Sequence, residues 1–220
     1  MSSSGYHHGN LRRALLDAAL HAITEHGPTA WSLRELARRA NVSHAAPAHH
    51  FGDKTGVLTA VAADGYAMFA DTLERQSHDF RQVGVAYVRF ALENPAHFTV
   101  MFRPDLYRVN DPAVVAGRAP PPARRGAGAR TRPPHPRTAG GGGGAAPRAR
   151  AVLSEGARTL TPDTASGESD RAVALMAWSC AHGFAHLWLS GAFPENIGND
   201  PEQAAHAVFG AMFGGAGLGG

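Results

Sequence analysis

A chain of 220 residues has room for one small module and one further domain of about 150 residues. Its one cysteine excludes an internal disulfide, and no secretion signal is visible, so a cytoplasmic protein is expected. The net charge of +3 rests on eight arginines between residues 118 and 150 (Arg118, Arg124, Arg125, Arg130, Arg132, Arg137, Arg148, Arg150); without them the chain stands at −5, so overall basicity is weak support for a nucleic-acid partner.

The first predicted element is a helix over Leu11 to His26, with Leu11, Leu15, Ala18, Ala19, Ala22 and Ile23 at helical spacing. A second helix starts after Ser32, which stands three residues before Glu35 in capping-box spacing, while Trp31 and Leu36 form a hydrophobic staple. Leu33, Leu36, Ala37 and Ala40 give it one apolar stripe, and Arg34, Arg38 and Arg39 occupy the rest of its surface. Asn41 tolerates the left-handed conformation that ends a helix, and Val42 returns to the core. Ser43 is a second N-cap, predicting a short helix from about His44 to His50 in which Pro47, at N4, sacrifices one backbone bond. This is a helix-turn-helix, and it points to double-stranded DNA. The small side chains of Ala45, Ala46 and Ala48 leave the second helix low enough to approach a groove floor, where Ser43, His44 and His49 can bond to bases or phosphates. Asp53 caps the next helix. Lys54 in its first turn opposes the helix dipole at a cost of about 0.3 to 1 kcal/mol, which a bound phosphate would offset; the alternative is a solvated lysine. With Arg34, these make the DNA-facing set Arg34, Ser43, His44, Ala45, Ala46, Ala48, His49 and Lys54. Residues 1 to 56 hold six basic side chains against four acidic ones, a modest positive excess.

The run Tyr6-His7-His8-Gly9-Asn10-Leu11-Arg12, then Leu33-Arg34-Glu35-Leu36-Ala37, Asn41-Val42-Ser43-His44-Ala45-Ala46-Pro47 and His50-Phe51-Gly52-Asp53-Lys54 resembles the DNA-binding domain of TetR/AcrR-type transcriptional regulators over roughly residues 6 to 70. The resemblance implies an all-α fold: a three-helix helix-turn-helix domain at 1–56, then a helical ligand-binding and dimerisation domain at 57–213. It implies that Ser43, His44 and Ala45 open the recognition helix in the major groove and that Lys54 meets the backbone. Two positions depart from the family: Asn41 stands where glycine is common, and Ala48 where a phosphate-contacting tyrosine is common. Loss of the phenol would weaken binding by about 1 kcal/mol if it makes one hydrogen bond.

Beyond the module, Lys54 to Gln76 reads as a helix carrying Val57, Leu58, Val61, Ala62, Tyr66, Phe69 and Leu73. Val83 to Arg103 follows, broken and restarted at Asn94-Pro95. Aromatic side chains at such spacing more often form plain core, but they also line apolar ligand pockets, for which Tyr87, Phe90, Phe98, Met101, Phe102, Trp178 and His182 are the candidates. Residues 118 to 150 contain only Arg, Ala, Pro, Gly, Thr and His, and disorder is expected across 112–150. Either a native flexible insertion or a local shift of reading frame produces such a stretch. The shift is favoured because loops this long are uncommon in compact domains, and the coding DNA decides: it must encode an amphipathic helix in an alternative frame.

Ala172 to Pro194 holds no charged residue, a length that raises a membrane span. Ser179, His182, Gly183, His186, Ser190 and Gly191 interrupt it and no basic cluster flanks it, so no membrane partner is expected. Instead, Val173, Ala177, Cys180, Phe184 and Leu187 form one packing side and Leu175, Trp178, His182, Ala185 and Leu189 another, one for its own subunit and one for a second copy in a homodimer. Trp178 to Gly183 resembles the signature of the WHG type of ligand domain. Ala204 to Phe213 is the last predicted helix, and 214–220 a frayed glycine-rich tail. His182, His186 and Cys180 lack a further ligand, so no metal is expected; no catalytic motif is present, and neither an enzyme nor a cofactor is expected. The family resemblance thus leads to a ligand-responsive repressor that binds a palindromic operator as a homodimer and is released by an unidentified small-molecule inducer. The alternatives are a small-molecule or metal-sensing helical protein that has lost DNA binding, and a frameshifted defective product.

Overall fold

The computed structural model describes residues 4–76, 79–118, 167–193 and 198–213, and within them every regular element is a helix. Helix α1 (Ser4–His26) begins seven residues before the expected Leu11. Its stripe of Leu15, Ala18, Ala19, Ala22 and Ile23 is buried as the spacing predicts. Periodicity reports the part of a helix that reaches a core, not where the helix starts.

Helix α2 (Leu33–Arg39) starts at Ser32, whose Oγ accepts the Glu35 amide at 3.2 Å. The other half of the expected capping box differs, because Glu35 Oε1 accepts from Arg39 Nε at 2.9 Å. Trp31 and Leu36 are both buried, as a staple requires. Asn41 has φ 53°, and the amides of Asn41 and Val42 donate to the carbonyls of Arg38 and Ala37 at 3.2 and 3.0 Å. These two bonds make a Schellman turn with asparagine in the left-handed position.

Helix α3 (Ala46–Phe51) corrects the expected start at His44. Ser43 does not cap it: Ala45 holds the cap position without a side-chain bond, and the Ala46 amide closes a tight turn onto the Ser43 carbonyl at 3.0 Å. Pro47 therefore lies in the first turn, where its missing N–H has no intrahelical acceptor to lose, and it forfeits nothing.

Helix α4 (Lys54–Glu74) is the axis of the molecule, touching α1 and α3 near one end and the later helices along its length. All seven apolar residues expected on it are buried. The core is continuous from Trp31 and Leu36 through α4, and the boundary drawn at 56/57 falls inside the first turn of that helix. Close approach has a covalent requirement at Gly56, where a Cβ would lie 1.9 Å from the Phe51 carbonyl oxygen.

Helices α5 (Phe80–Glu93) and α6 (Pro95–Met101) divide at Asn94-Pro95 as expected, but α5 starts at Phe80 because Asp79 accepts the amides of Arg81 and Gln82. Helix α7 (Pro112–Arg118) overturns the expectation of disorder at 112–118. Asp111 Oδ1 accepts the Ala113 amide at 2.9 Å, Pro112 opens the helix, and Val114 is fully buried in a helix packed on α4. The composition of the following arginine-rich stretch masked this short amphipathic turn; residues 119–150 and the tail at 214–220 lie outside the described residues.

Helix α8 (Gly167–Leu189) packs on α5, and α9 (Pro201–Phe213) packs on α5 so tightly that a Cβ on Gly84 would stand 3.0 Å from the Phe209 ring. Asp200 caps α9, moving its start ahead of the expected Ala204. The two expected faces of α8 are repartitioned. Ala174, Ala177, Ala181, Phe184 and Ala185 make the buried stripe, whereas Leu187, assigned to a packed side with Phe184, is 46% exposed. Leu175, Met176 and Leu189 are exposed with it. Ala172–Leu189 is long and apolar enough to cross a membrane by composition, but the helix packs on α5 and its buried stripe is four alanines and Phe184.

Candidate nucleic-acid interface and aromatic cluster

The α2–α3 turn sorts the expected DNA-facing residues by their position on the helix. Pro47 points inward and is buried, Ala46 is half-buried, and Ser43, His44, Ala45, Ala48 and His49 are exposed together. One polar, low-relief surface results, held by the Pro47 anchor and the Schellman turn. Arg34 and Arg38 are exposed beside it. Arg39 is not: its guanidinium donates to Glu25 of α1 at 3.0 and 2.7 Å and to Glu35 at 2.9 Å, bridging two helices. Those bonds raise the Arg39 pKa further, and the same guanidinium holds Glu25 below the usual carboxylate range.

Lys54 has a different environment from either sequence reading. Its ammonium donates to the carbonyls of Thr29 at 2.6 Å and Trp31 at 2.8 Å and lies 4.5 Å from the centre of the Trp31 ring. Burial pushes its pKa down. Two of its three donors are used. The opposition to the helix dipole that motivated a phosphate is offset by these two carbonyls and by the negative face of an indole.

Two arginine contacts near α3 and the start of α4 were not expected. Arg12 of α1 lies over the Phe51 ring at 5.2 Å, beside α3; the only signal for it was its place in the Tyr6–Arg12 run. Arg108, in the loop before α7, donates to both carboxylate oxygens of Asp53 at 2.9 and 2.7 Å, while Asp53 Oδ1 accepts the Gly56 amide at 2.7 Å. The hydrogen bond donated by the Gly56 amide and then the Arg108 charge hold Asp53 below the ordinary carboxylate value. No local spacing could pair residues 55 apart in sequence.

In the second half of the chain, five of the seven expected ligand residues converge. Tyr87 Oη lies 2.9 Å from His182 Nδ1. The rings of Phe98, Phe102 and Trp178 surround His182 at centroid distances of 5.3, 4.7 and 5.8 Å. Phe69 of α4 meets Tyr87 edge-on at 4.9 Å. Phe90 and Met101 are placed elsewhere in the core: Phe90 packs on Phe69, and the Met101 carbonyl accepts from the hydroxyls of Tyr66 and Tyr107. Burial pushes the Tyr87 phenol up and His182 down, the latter helped by His186, so both are neutral near pH 7. His182 and His186 stack at 6.4 Å, and Cys180 Sγ instead contacts Met212 Sδ at 3.1 Å. Two cavities open away from this cluster, one of about 440 Å³ along α1 at Asp17 and His21, the other of about 210 Å³ between Arg12, Phe51, Thr59 and Arg108.

Comparison with known proteins gives matches to both halves. Residues 15–61 match the sequence profile of the bacterial regulatory proteins of the tetR family, and residues 80–212 match the tetracyclin repressor-like C-terminal domain. The HTH-type transcriptional regulator BetI of Escherichia coli is 38% identical over 71 residues, which are 32% of this chain and 36% of that protein. The match thus spans about a third of the length of such curated relatives. A Rhodococcus sp. RHA1 protein of unknown function is 27% identical over 96% of this chain and 97% of its own, with a TM-score of 0.63. PfmR of Thermus thermophilus, a TetR family transcriptional regulator, shares the fold at 20% identity and a TM-score of 0.59, covering 91% of this chain and 97% of its own.

Proposed function

The chain belongs to the TetR family of bacterial regulatory proteins, and from that premise we propose that it is a ligand-responsive repressor binding a palindromic operator as a homodimer in the cytoplasm. Members of the family are DNA-binding regulators rather than enzymes. The observation that carries the reading is the exposed set Ser43, His44, Ala45, Ala48 and His49 on one side of α3, fixed by buried Pro47. That surface enters the major groove. Arg34 stands by for the phosphate backbone, and Lys54 retains one N–H with which to reach it.

A second copy covers the open side of α8. Leu175, Met176, Leu187 and Leu189, with Met212 of α9, are an exposed apolar face, and a Cβ on Gly183 would meet nothing within 4 Å. A glycine inside a helix costs about 1 kcal/mol relative to alanine, and within the protomer no close packing compensates it. Close approach of a partner helix supplies that compensation. Two reading heads related by a two-fold axis meet half-sites about 34 Å apart.

The aromatic cluster around His182 receives the inducer, and α4 connects it to the head. One helix bears Gly56 against Phe51 at its start and Phe69 against Tyr87 further along. Movement of the cluster therefore shifts the seat of α3. A mobility-shift assay with the DNA upstream of the protein's own gene tests the reading: a salt-sensitive, sequence-specific complex is expected, and its absence with the purified dimer would defeat it.

A further inference from the structure

We propose that the cavity framed by α1, the end of α3, α4 and the loop before α7 is a ligand site separate from the His182 cluster, and that it takes a zwitterion of amino-acid size, its carboxylate on Arg12 and its ammonium on Asp111. Shape comes first. Gly56, Ala60 and Ala63 recur at helical spacing along α4, and these small residues leave open a cavity of about 210 Å³. Arg12 and Phe51 line it from α1 and α3, Arg108 and Asp111 from the loop before α7. A cavity of about 150 Å³ holds benzene, so the volume here accommodates roughly eight non-hydrogen atoms, the size of valine.

Charge selects among molecules of that size. Arg108 is already matched, since both carboxylate oxygens of Asp53 accept from its Nη2 at 2.9 and 2.7 Å. Arg12 and Asp111 are not: among the described residues neither forms an ion pair, with the other or with a third group. Arg12 lies 5.2 Å from the centre of the Phe51 ring, and its N–H donors meet no acceptor among the described residues; with Arg13 it acts on Asp64 through space alone. Asp111 spends Oδ1 on the Ala113 amide at 2.9 Å, which leaves Oδ2 and the charge. His50 lines the cavity too, its ring against Phe51 at 6.3 Å. Opposite charges that face one cavity without touching each other select a dipole. A simple anion meets Arg12 but is repelled by Asp111, a simple amine meets the reverse, and an uncharged molecule leaves both unmatched. A zwitterion satisfies both, and its carboxylate fits the guanidinium fork. The methyls of Ala60 and Ala63 and the Phe51 ring receive an aliphatic side chain. The bound ligand joins α1 to the loop before α7 beside the end of α3.

Calorimetric titration of the full-length protein at pH 8, above the ordinary imidazole value of about 6.5, compares valine with its two halves: 3-methylbutanoate, which lacks the ammonium, and isobutylamine, which lacks the carboxylate. Valine is expected to bind at least about ten-fold more tightly than either. Arg12→Gln should weaken valine and 3-methylbutanoate but not isobutylamine. Asp111→Asn, which keeps an oxygen for the Ala113 amide, should weaken valine and isobutylamine but not 3-methylbutanoate. A merely structural role would move all three probes together. Ala60→Leu fills the cavity and should abolish binding of all three with circular dichroism unchanged. Absence of valine binding, valine no tighter than either half, the same response of all three probes to both charge substitutions, or valine affinity undiminished by Ala60→Leu each overturns the proposal. The repressor reading does not rest on this site and stands or falls by the mobility shift.

Discussion

Lys54 and Trp31 form a clip: the ammonium sits 4.5 Å from the indole centre and donates to the Trp31 carbonyl at 2.8 Å. The pair joins the start of α4 to the residue that staples α2, and so sets how the reading head seats on the rest of the chain. Lys54→Ala removes two charged hydrogen bonds and the cation–π contact and is expected to cost about 1–3 kcal/mol of stability in urea unfolding. Its affinity for DNA should fall by the same factor on every sequence. An unchanged unfolding midpoint would show that the clip is not structural.

Ala48 is exposed on the proposed DNA-facing surface, so a larger side chain there has room. Ala48→Tyr restores the phenol common in the family and should tighten operator binding about five-fold, one hydrogen bond worth about 1 kcal/mol. A titration showing weaker binding would place Ala48 away from the backbone.

Gly56 and Gly183 are opposite cases. Gly56→Ala drives a methyl into the Phe51 carbonyl and is expected to cost more than about 3 kcal/mol, lowering the denaturation midpoint and abolishing DNA binding. Gly183→Ala meets open space in the protomer and improves helix propensity by about 1 kcal/mol. It should nonetheless weaken self-association, and sedimentation velocity across a dilution series reads that directly.

Leu187 is 46% exposed, so a charge there is tolerated by the monomer. Leu187→Glu places two carboxylates across a two-fold interface and should weaken the dimer at least about ten-fold with circular dichroism unchanged. A dimer of unaltered strength would remove α8 from the interface.

Acid should erode stability in two stages. His182 has a folded pKa below its ordinary value of 6.5, so its contribution is full above that value and is lost as pH falls through the folded pKa. Glu25, Asp53 and Asp64 are also held low, by Arg39, by the Gly56 amide with Arg108, and by His97 respectively, so their contribution is lost only below the ordinary carboxylate range near 4. Unfolding midpoints at pH 7.5 and 5.5 should therefore differ, and His182→Gln should shrink the difference. An unchanged slope in that variant would contradict the neutral, half-buried imidazole.

Signals that act within a few residues were legible in the sequence. The Ser32 cap, the Trp31–Leu36 staple, the Asn41 turn and the Asn94-Pro95 break all depend on local backbone geometry, and each stands where its spacing puts it. Side-chain identity alone could not choose between Ser43 as a cap and Pro47 as a first-turn residue, since both are N-terminal signals; the buried proline ring settled the choice. Helix α7 escaped notice because one buried valine and an Asp111 cap give too short a pattern beside an arginine-rich run. The pairings of Arg108 with Asp53, Arg39 with Glu25 and Tyr87 with His182 join residues 14 to 95 positions apart. Only the packed chain brings them together. The same limit explains why five aromatic candidates converge while Phe90 and Met101 fall behind Phe69 and Tyr66: helical spacing names the buried stripe, not the neighbour it faces.

The claim that the α3 surface reads DNA is tested most directly by selecting bound duplexes from a random pool, using the wild-type chain and His44→Ala in parallel. The wild type should enrich a palindrome whose half-site centres lie about one helical turn apart, and His44→Ala should enrich the same spacing with altered bases at fixed positions. Enrichment of no sequence by the wild-type dimer, or an identical palindrome from both proteins, would contradict it.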